Sequence, residues 1–200
     1  MIDSDPPKST RSSARQVSPA MIALVAVLIA TTTVVTRAIQ IPTLAKGYAN
    51  LSDVAITFSG LVFGPWVGMV VGGVGTALAD VTSGYVLFFP LSLIAHGLEG
   101  FLIGWLGRGR RTVGGMTLAW LIGSLAMIAV YLVGEVLFYR VLNPGADSFS
   151  AAWVIALTEV PVNAFQALIG GLVGVPLVLA VRKAYPPIDR IGQRSQWTEE

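Results

Sequence analysis

Residues 61–85, LVFGPWVGMVVGGVGTALADVTSGY, contain no Lys or Arg and a single acid, Asp80, close to their far end. Gly64-Pro65 settles how this run is read. A Gly-Pro pair ends one helix, and the proline can open the next with its fixed φ. The apolar stretch from 50 to 82 therefore turns back on itself as two short helices. The competing reading, one long tilted helix over 54–79, leaves an odd number of crossings before residue 108.

The rest of the chain has the same character. It is 54% hydrophobic and only 12% charged over 200 residues, with a mean hydropathy of +0.73, well outside the range of soluble domains. Residues 20–36, 54–79, 81–95, 112–134 and 160–181 hold no Lys, Arg, Asp or Glu, and a bilayer crossing needs roughly 20 mostly apolar residues. The sequence thus predicts an all-α integral membrane protein. A lipid-facing barrel would instead show alternating segments of about ten residues. With no Cys there is no disulfide, thiolate nucleophile or thiolate metal site. The pI near 9.2 comes from basic residues flanking apolar segments, where they act as topology signals, so nucleic acid is excluded as a partner. Residues 1–17 are polar and Pro/Ser-rich and read as a disordered tail. No small-residue cleavage site with a hydrophilic mature domain follows them, so the first helix is expected to remain.

Three basic clusters count the crossings. Lys8, Arg11 and Arg15 precede the first helix, Arg108, Arg110 and Arg111 interrupt the middle, and Arg182, Lys183, Arg190 and Arg194 follow the last; only Arg37, Lys46 and Arg140 lie elsewhere. If all three clusters are cytoplasmic, as the positive-inside rule favours, an even number of crossings separates each from the next. Two fall at about 113–141 and 151–182, joined by NPGADSFS. Four fall before residue 108, including the pair hinged at Gly64-Pro65. The expectation is six transmembrane helices over 18–183, with cytoplasmic tails at 1–17 and 184–200.

That topology gives every polar residue a depth. Asp80, Thr82, Ser83 and Tyr85 reach the outer end of the third helix. The fourth carries Ser92, His96 and Glu99 on one face, the fifth Tyr131, Glu135 and Phe138, and the sixth Glu159, Asn163 and Gln166. Hydrogen-bonding groups thus gather in the outer half while the inner halves lack them, which is the pattern of a cavity, because charges at such depth are costly unless they face water or a ligand. Each residue also has a structural reading. Asp80 caps a helix end or pairs with Lys46; His96 and Glu99 form an internal pair or a proton relay; Asn50 and Asp53 act as N-caps of the second helix. Gly64, Gly68, Gly72, Gly75 and Ala79 form a small-residue stripe for close helix packing. Ala20, Ala23, Ala26 and Ala30 form another on the first helix, suited equally to internal packing or to docking another membrane protein. GGVGTA follows no strand and lacks the third glycine of a nucleotide fingerprint. No nucleophile–base pair and no three-ligand metal constellation is expected, which disfavours an enzyme.

Two segments also resemble a known family. YANLSDVAITFSGLVFGPWVGMVVGGVGTALADVTSGYVLFFPLSLIAHGLEGFLIGWLGR (48–108) is similar to the central signature of energy-coupling-factor (ECF) transporter S-components, the membrane substrate-binding subunits of bacterial vitamin importers, and EVPVNAFQALIGGLVGVPL (159–177) resembles their last helix. The likeness is nearest to the riboflavin and hydroxymethylpyrimidine group. It implies a six-helix bundle in the bacterial plasma membrane, open to the outside, with Lys46 and Tyr48 in a lid loop. It further implies a substrate site at Asn50, Asp80, Tyr85, His96, Glu99, Glu135, Asn163 and Gln166, with no cofactor or metal. The cargo would be a small water-soluble, heteroaromatic vitamin or precursor, stacked on Tyr85, Tyr131 or Phe138. Partners would be a transmembrane coupling subunit, docked at Ala23, Ala26 and Ala30, and two cytoplasmic ATPases, since this sequence shows no nucleotide-binding loop. His96 stands where lysine is expected in many close relatives. The rival reading is an autonomous proton-coupled carrier using His96 and the buried acids as its relay.

Overall fold

The computed structural model describes residues 18–43, 46–142 and 147–193. Residues 1–17, the expected tail, and 194–200 lie outside them. The element order is α1 (Pro19–Ala38), β1 (Ile41–Pro42), β2 (Tyr48–Ala49), α2 (Ser52–Phe63), α3 (Pro65–Ser83), α4 (Phe89–Gly107), α5 (Val113–Leu137), α6 (Tyr139–Leu142), α7 (Phe149–Ala184) and α8 (Ile188–Gln193). Five helices, α1, α3, α4, α5 and α7, are long and apolar enough to cross a membrane. The twelve residues of α2 span only about 18 Å, short of a crossing by themselves.

The break at Gly64 is observed. Its φ of +93° is open to glycine and unfavourable for side-chain-bearing residues. Pro65 occupies the first turn of α3, where its missing N–H costs nothing. The glycine stripe sets how closely α3 and α4 approach: a Cβ on Gly68 would run into the carbonyl of Gly100, and one on Gly100 into the carbonyl of Gly68. Around this pair α1 packs on α3, α5 on α4 and α7 on α5, while α2 is enclosed by α3, α4 and α7. α1 is peripheral, with only Thr32 and Thr36 buried. The hydroxyl of Thr33 ties it to α3 by donating to the Gly75 carbonyl at 2.9 Å.

The bundle has two unlike ends. Leu61, Val67, Ile103, Met116, Trp120 and Val178 form an apolar core towards the C-terminal ends of α2, α4 and α7. There Arg182 gathers four segments: it donates to Asp189 of α8 at 2.9 Å, to the Arg110 carbonyl at 3.0 Å and to the Leu61 carbonyl at 3.2 Å. The opposite end holds smaller apolar clusters and most of the buried polar groups.

One expected boundary, the end of α5, needs correction, and two features add detail to the expected outline. The fold is all-helical as expected, and the first outer loop adds a short antiparallel pairing, Ile41 with Ala49 and Pro42 with Tyr48. α5 stops at Leu137 instead of about 141, with the Phe138 N–H bonding back to the Gly134 carbonyl and α6 following as a separate turn. α7 runs for 36 residues, about 54 Å, and carries Pro161 and Pro176 inside it.

Candidate functional site

Above α2 the β1–β2 hairpin, the end of α3, the start of α4, the end of α5 and the first half of α7 surround a narrow polar cleft with about 30 Å³ of free volume inside it. Six of the site residues expected from sequence line it: Asn50, Asp80, His96, Glu135, Asn163 and Gln166, together with Tyr48 of the hairpin. They come from four helices and the hairpin, and all but Asn163 and Tyr48 are buried.

Burial of so many polar groups requires partners. Gln166 supplies two contacts: its side-chain oxygen accepts from the Asn50 amide at 2.9 Å, and its nitrogen donates to Asp53 Oδ1 at 2.9 Å. Asn50 Oδ1 in turn accepts from the Ser52 amide at 2.7 Å, which fixes the first turn of α2. At the floor His96 Nδ1 lies 2.9 Å from Glu99 Oε2 and 3.6 Å from Asp53 Oδ1, and the Ser124 hydroxyl donates to Glu99 Oε1 at 3.3 Å. One wall is formed by Ser92 Oγ and Tyr131 Oη at 2.8 Å, with the Tyr131 ring edge-on to His96. The hairpin closes down through Tyr48, whose hydroxyl donates to Asp80 Oδ1 at 2.6 Å. Burial, and next the Asp80 carboxylate, push the Tyr48 phenol above its ordinary range, so it remains a donor.

The remaining expected residues lie elsewhere. Glu99 is fully buried beneath His96 and does not line the cleft. Tyr85 is half-buried and lies against the Tyr48 ring, centroids 4.5 Å apart, behind the hairpin. Lys46 is exposed at the hairpin turn, with φ 61°, and Asp80 pairs with Tyr48 instead of with it. Phe138 is 59% exposed and cannot stack on a guest. Ala23, Ala26 and Ala30 all sit on the exposed face of α1.

Two features were missed. Asp53 is not a cap: the N-cap position is Leu51, and Asp53 is fully buried against Gln166 and His96. Thr76 lines the cleft one helical turn before Asp80, a spacing the sequence did display. Asp53, His96 and Glu99 also form the three-residue set whose absence was expected, each offering one donor atom within 4.8 Å of the others. One imidazole and two carboxylates are a donor set compatible with a divalent cation, although hydrogen bonds from Gln166, Ser52 and Ser124 already engage both carboxylates.

The sequence pattern of the family described as ECF-type riboflavin transporter, S component, matches residues 16–183. The chain belongs to that family. This S component is therefore a multi-pass membrane protein of a transport family and not an enzyme. Among curated proteins, it is 33% identical over 157 residues to a Pyrococcus woesei protein described as "Uncharacterized protein in gap 3'region", a match covering 78% of this chain and 97% of that one. It is 32% identical over 130 residues to the thiamine precursor transporter HmpT of Lactococcus lactis, covering 65% of this chain and 67% of the relative.

Proposed function

We propose that this S component is the substrate-binding subunit of an ECF-type importer, capturing a small water-soluble vitamin or vitamin precursor from outside the cell for ATP-driven uptake. The cargo is heteroaromatic, with hydrogen bonds from Asn163, Gln166 and His96 reading its ring heteroatoms and Tyr131 offering a ring face. The observation that carries this reading is the convergence of polar side chains from four helices on one cleft at one end of an otherwise apolar bundle. The relative described as a thiamine precursor transporter supports the same cargo class.

In this reading α2 and α3 together complete a six-helix bundle with both termini cytoplasmic, the end tied by Arg182 facing inward and the β1–β2 hairpin acting as the lid. Ala23, Ala26 and Ala30 dock a transmembrane coupling subunit, which connects to two cytoplasmic ATPases. The exposure of that α1 face supports the assignment.

Detergent-purified protein should bind a pyrimidine, pyridine or flavin compound at sub-micromolar affinity; a full vitamin panel without binding would end the proposal. Single cysteines introduced at Ser18 and Asp147 should label from opposite sides of the membrane. The second reading, an autonomous proton-coupled carrier, draws on the buried Asp53–His96–Glu99 cluster. Reconstituted alone in liposomes with a pH gradient, a carrier accumulates substrate, whereas a binding subunit does not.

A further inference from the structure

We infer that the cleft selects a guest bearing a fixed positive charge, an ammonium or an amidinium, held by Asp80 and Glu135. This rests on the substrate-binding reading above and names the charge class of the cargo.

The charge of the lining is one-sided. Asp80, Glu135 and Glu159 line the cleft, and no Lys or Arg is among the described residues that do. Asp80 Oδ2 and Glu135 Oε2 are shielded from solvent and have no hydrogen-bond partner among the described residues. A buried acceptor without a donor is costly, and here two such acceptors come from different helices, α3 and α5. The Tyr48 hydroxyl holds the other oxygen of Asp80 and so orients the carboxylate.

The imidazole does not balance these groups. His96 Nδ1 is committed to Glu99 and lies close to Asp53, so even when protonated it carries one positive charge against two carboxylates at the floor. Among the described residues that line the cleft, no Lys or Arg is left for Asp80 and Glu135. A guest with donor hydrogens and a positive charge supplies both the missing donors and the missing charge. The rings of Tyr48, Phe88 and Tyr131, which also line the cleft, offer π faces that favour a cation. A phosphorylated or carboxylated guest would meet carboxylates and no counter-charge.

The test is a pair of probes that share one ring and differ only at its 5-substituent: 5-aminomethyl-4-amino-2-methylpyrimidine, an ammonium at pH 7, and its 5-hydroxymethyl analogue, with riboflavin as a neutral reference. Calorimetry on the purified full chain should show the ammonium binding at least about tenfold more tightly than the alcohol, the scale of one charge-assisted contact. Glu135→Gln and Asp80→Asn should each remove most of the ammonium-over-alcohol ratio whatever they do to the absolute affinities, and circular dichroism with thermal unfolding of each variant shows that it is folded. Equal or tighter binding of the alcohol by the unmodified protein overturns the inference, as does a preference that survives in both variants. Sub-micromolar binding of riboflavin or the alcohol without the ammonium would leave the substrate-binding reading standing and remove this one. No binding of any probe, or of the wider vitamin panel, would remove both.

Discussion

Gln166 of α7 hydrogen-bonds both the Asn50 amide and Asp53 at the start of α2, and replacing it with leucine tests whether the polar floor holds the bundle together. Leucine is close in volume, so the main loss is two hydrogen bonds. One leaves the Asn50 amide without its 2.9 Å acceptor and the other takes the 2.9 Å donor from Asp53 Oδ1. Orphaning a buried group costs about 1–3 kcal/mol, with carboxylates towards the upper end. Asp53 keeps Ser52 as a donor at 3.2 Å and His96 nearby, which lowers its share. The sum is therefore about 3 kcal/mol rather than the additive maximum of about 6 kcal/mol. Equilibrium unfolding in mixed micelles measures this directly. Pairing Gln166→Leu with Asp53→Asn in a double-mutant cycle should give a coupling of about 1 kcal/mol or more, as expected of directly bonded partners. A loss below about 0.5 kcal/mol for Gln166→Leu, the size of an ordinary surface substitution, would refute the view that these bonds organise the site.

Other outcomes follow from the same geometry. Gly100→Ala forces a methyl into the Gly68 carbonyl and should cost about 1–3 kcal/mol or more, whereas Gly114→Ala, which meets open space, should be nearly neutral; thermal unfolding of the two variants separates them. Arg182→Lys cannot reach Asp189 and the carbonyls of Leu61 and Arg110 together, so limited proteolysis should release the α8 segment in that variant. Tyr48→Phe removes the donor to Asp80, and hydrogen exchange at the Thr43 and Lys46 amides should accelerate roughly tenfold. Because the Tyr48 phenol is raised by burial and by Asp80, its contribution to stability is complete below about pH 10, the ordinary tyrosine value, and declines as pH rises above it. An absorbance titration of the protein against Tyr48→Phe should show no ionisation of this residue near pH 10.

Features governed by local backbone chemistry could be read in the sequence. The Gly64-Pro65 break follows from the φ each residue permits, and the glycine stripe of α3 announces a close helix approach. The cleft was legible because polar residues recur at helical spacing on α4 and α7, and lipid offers them nowhere else to go. Asp53 was misread because an acid in the first turn of a helix is ordinarily placed for the helix dipole; only the packing of α4 and α7 around α2 shows that this one has no exposed side. The Asp53–His96–Glu99 set was invisible for the same reason, since it joins residues of two helices whose rotation no spacing rule supplies. Phe138 was placed in the site by extending α5 past Leu137, and a helix that ends earlier turns that ring outward. The hairpin pairs two residues with two, too few for an alternating pattern to register.

The shortness of α2 has a consequence for whatever the cleft holds. A hydrocarbon layer is about 30 Å thick, and the twelve residues of α2 fill about 18 Å of it. In the proposed six-helix arrangement the shortfall, about 12 Å, falls on the side of the hairpin and the cleft, where loop backbone, hydroxyls and carboxylates would draw solvent below the headgroups. The opposite end is closed instead by an apolar core that includes Leu61, Ile103 and Val178.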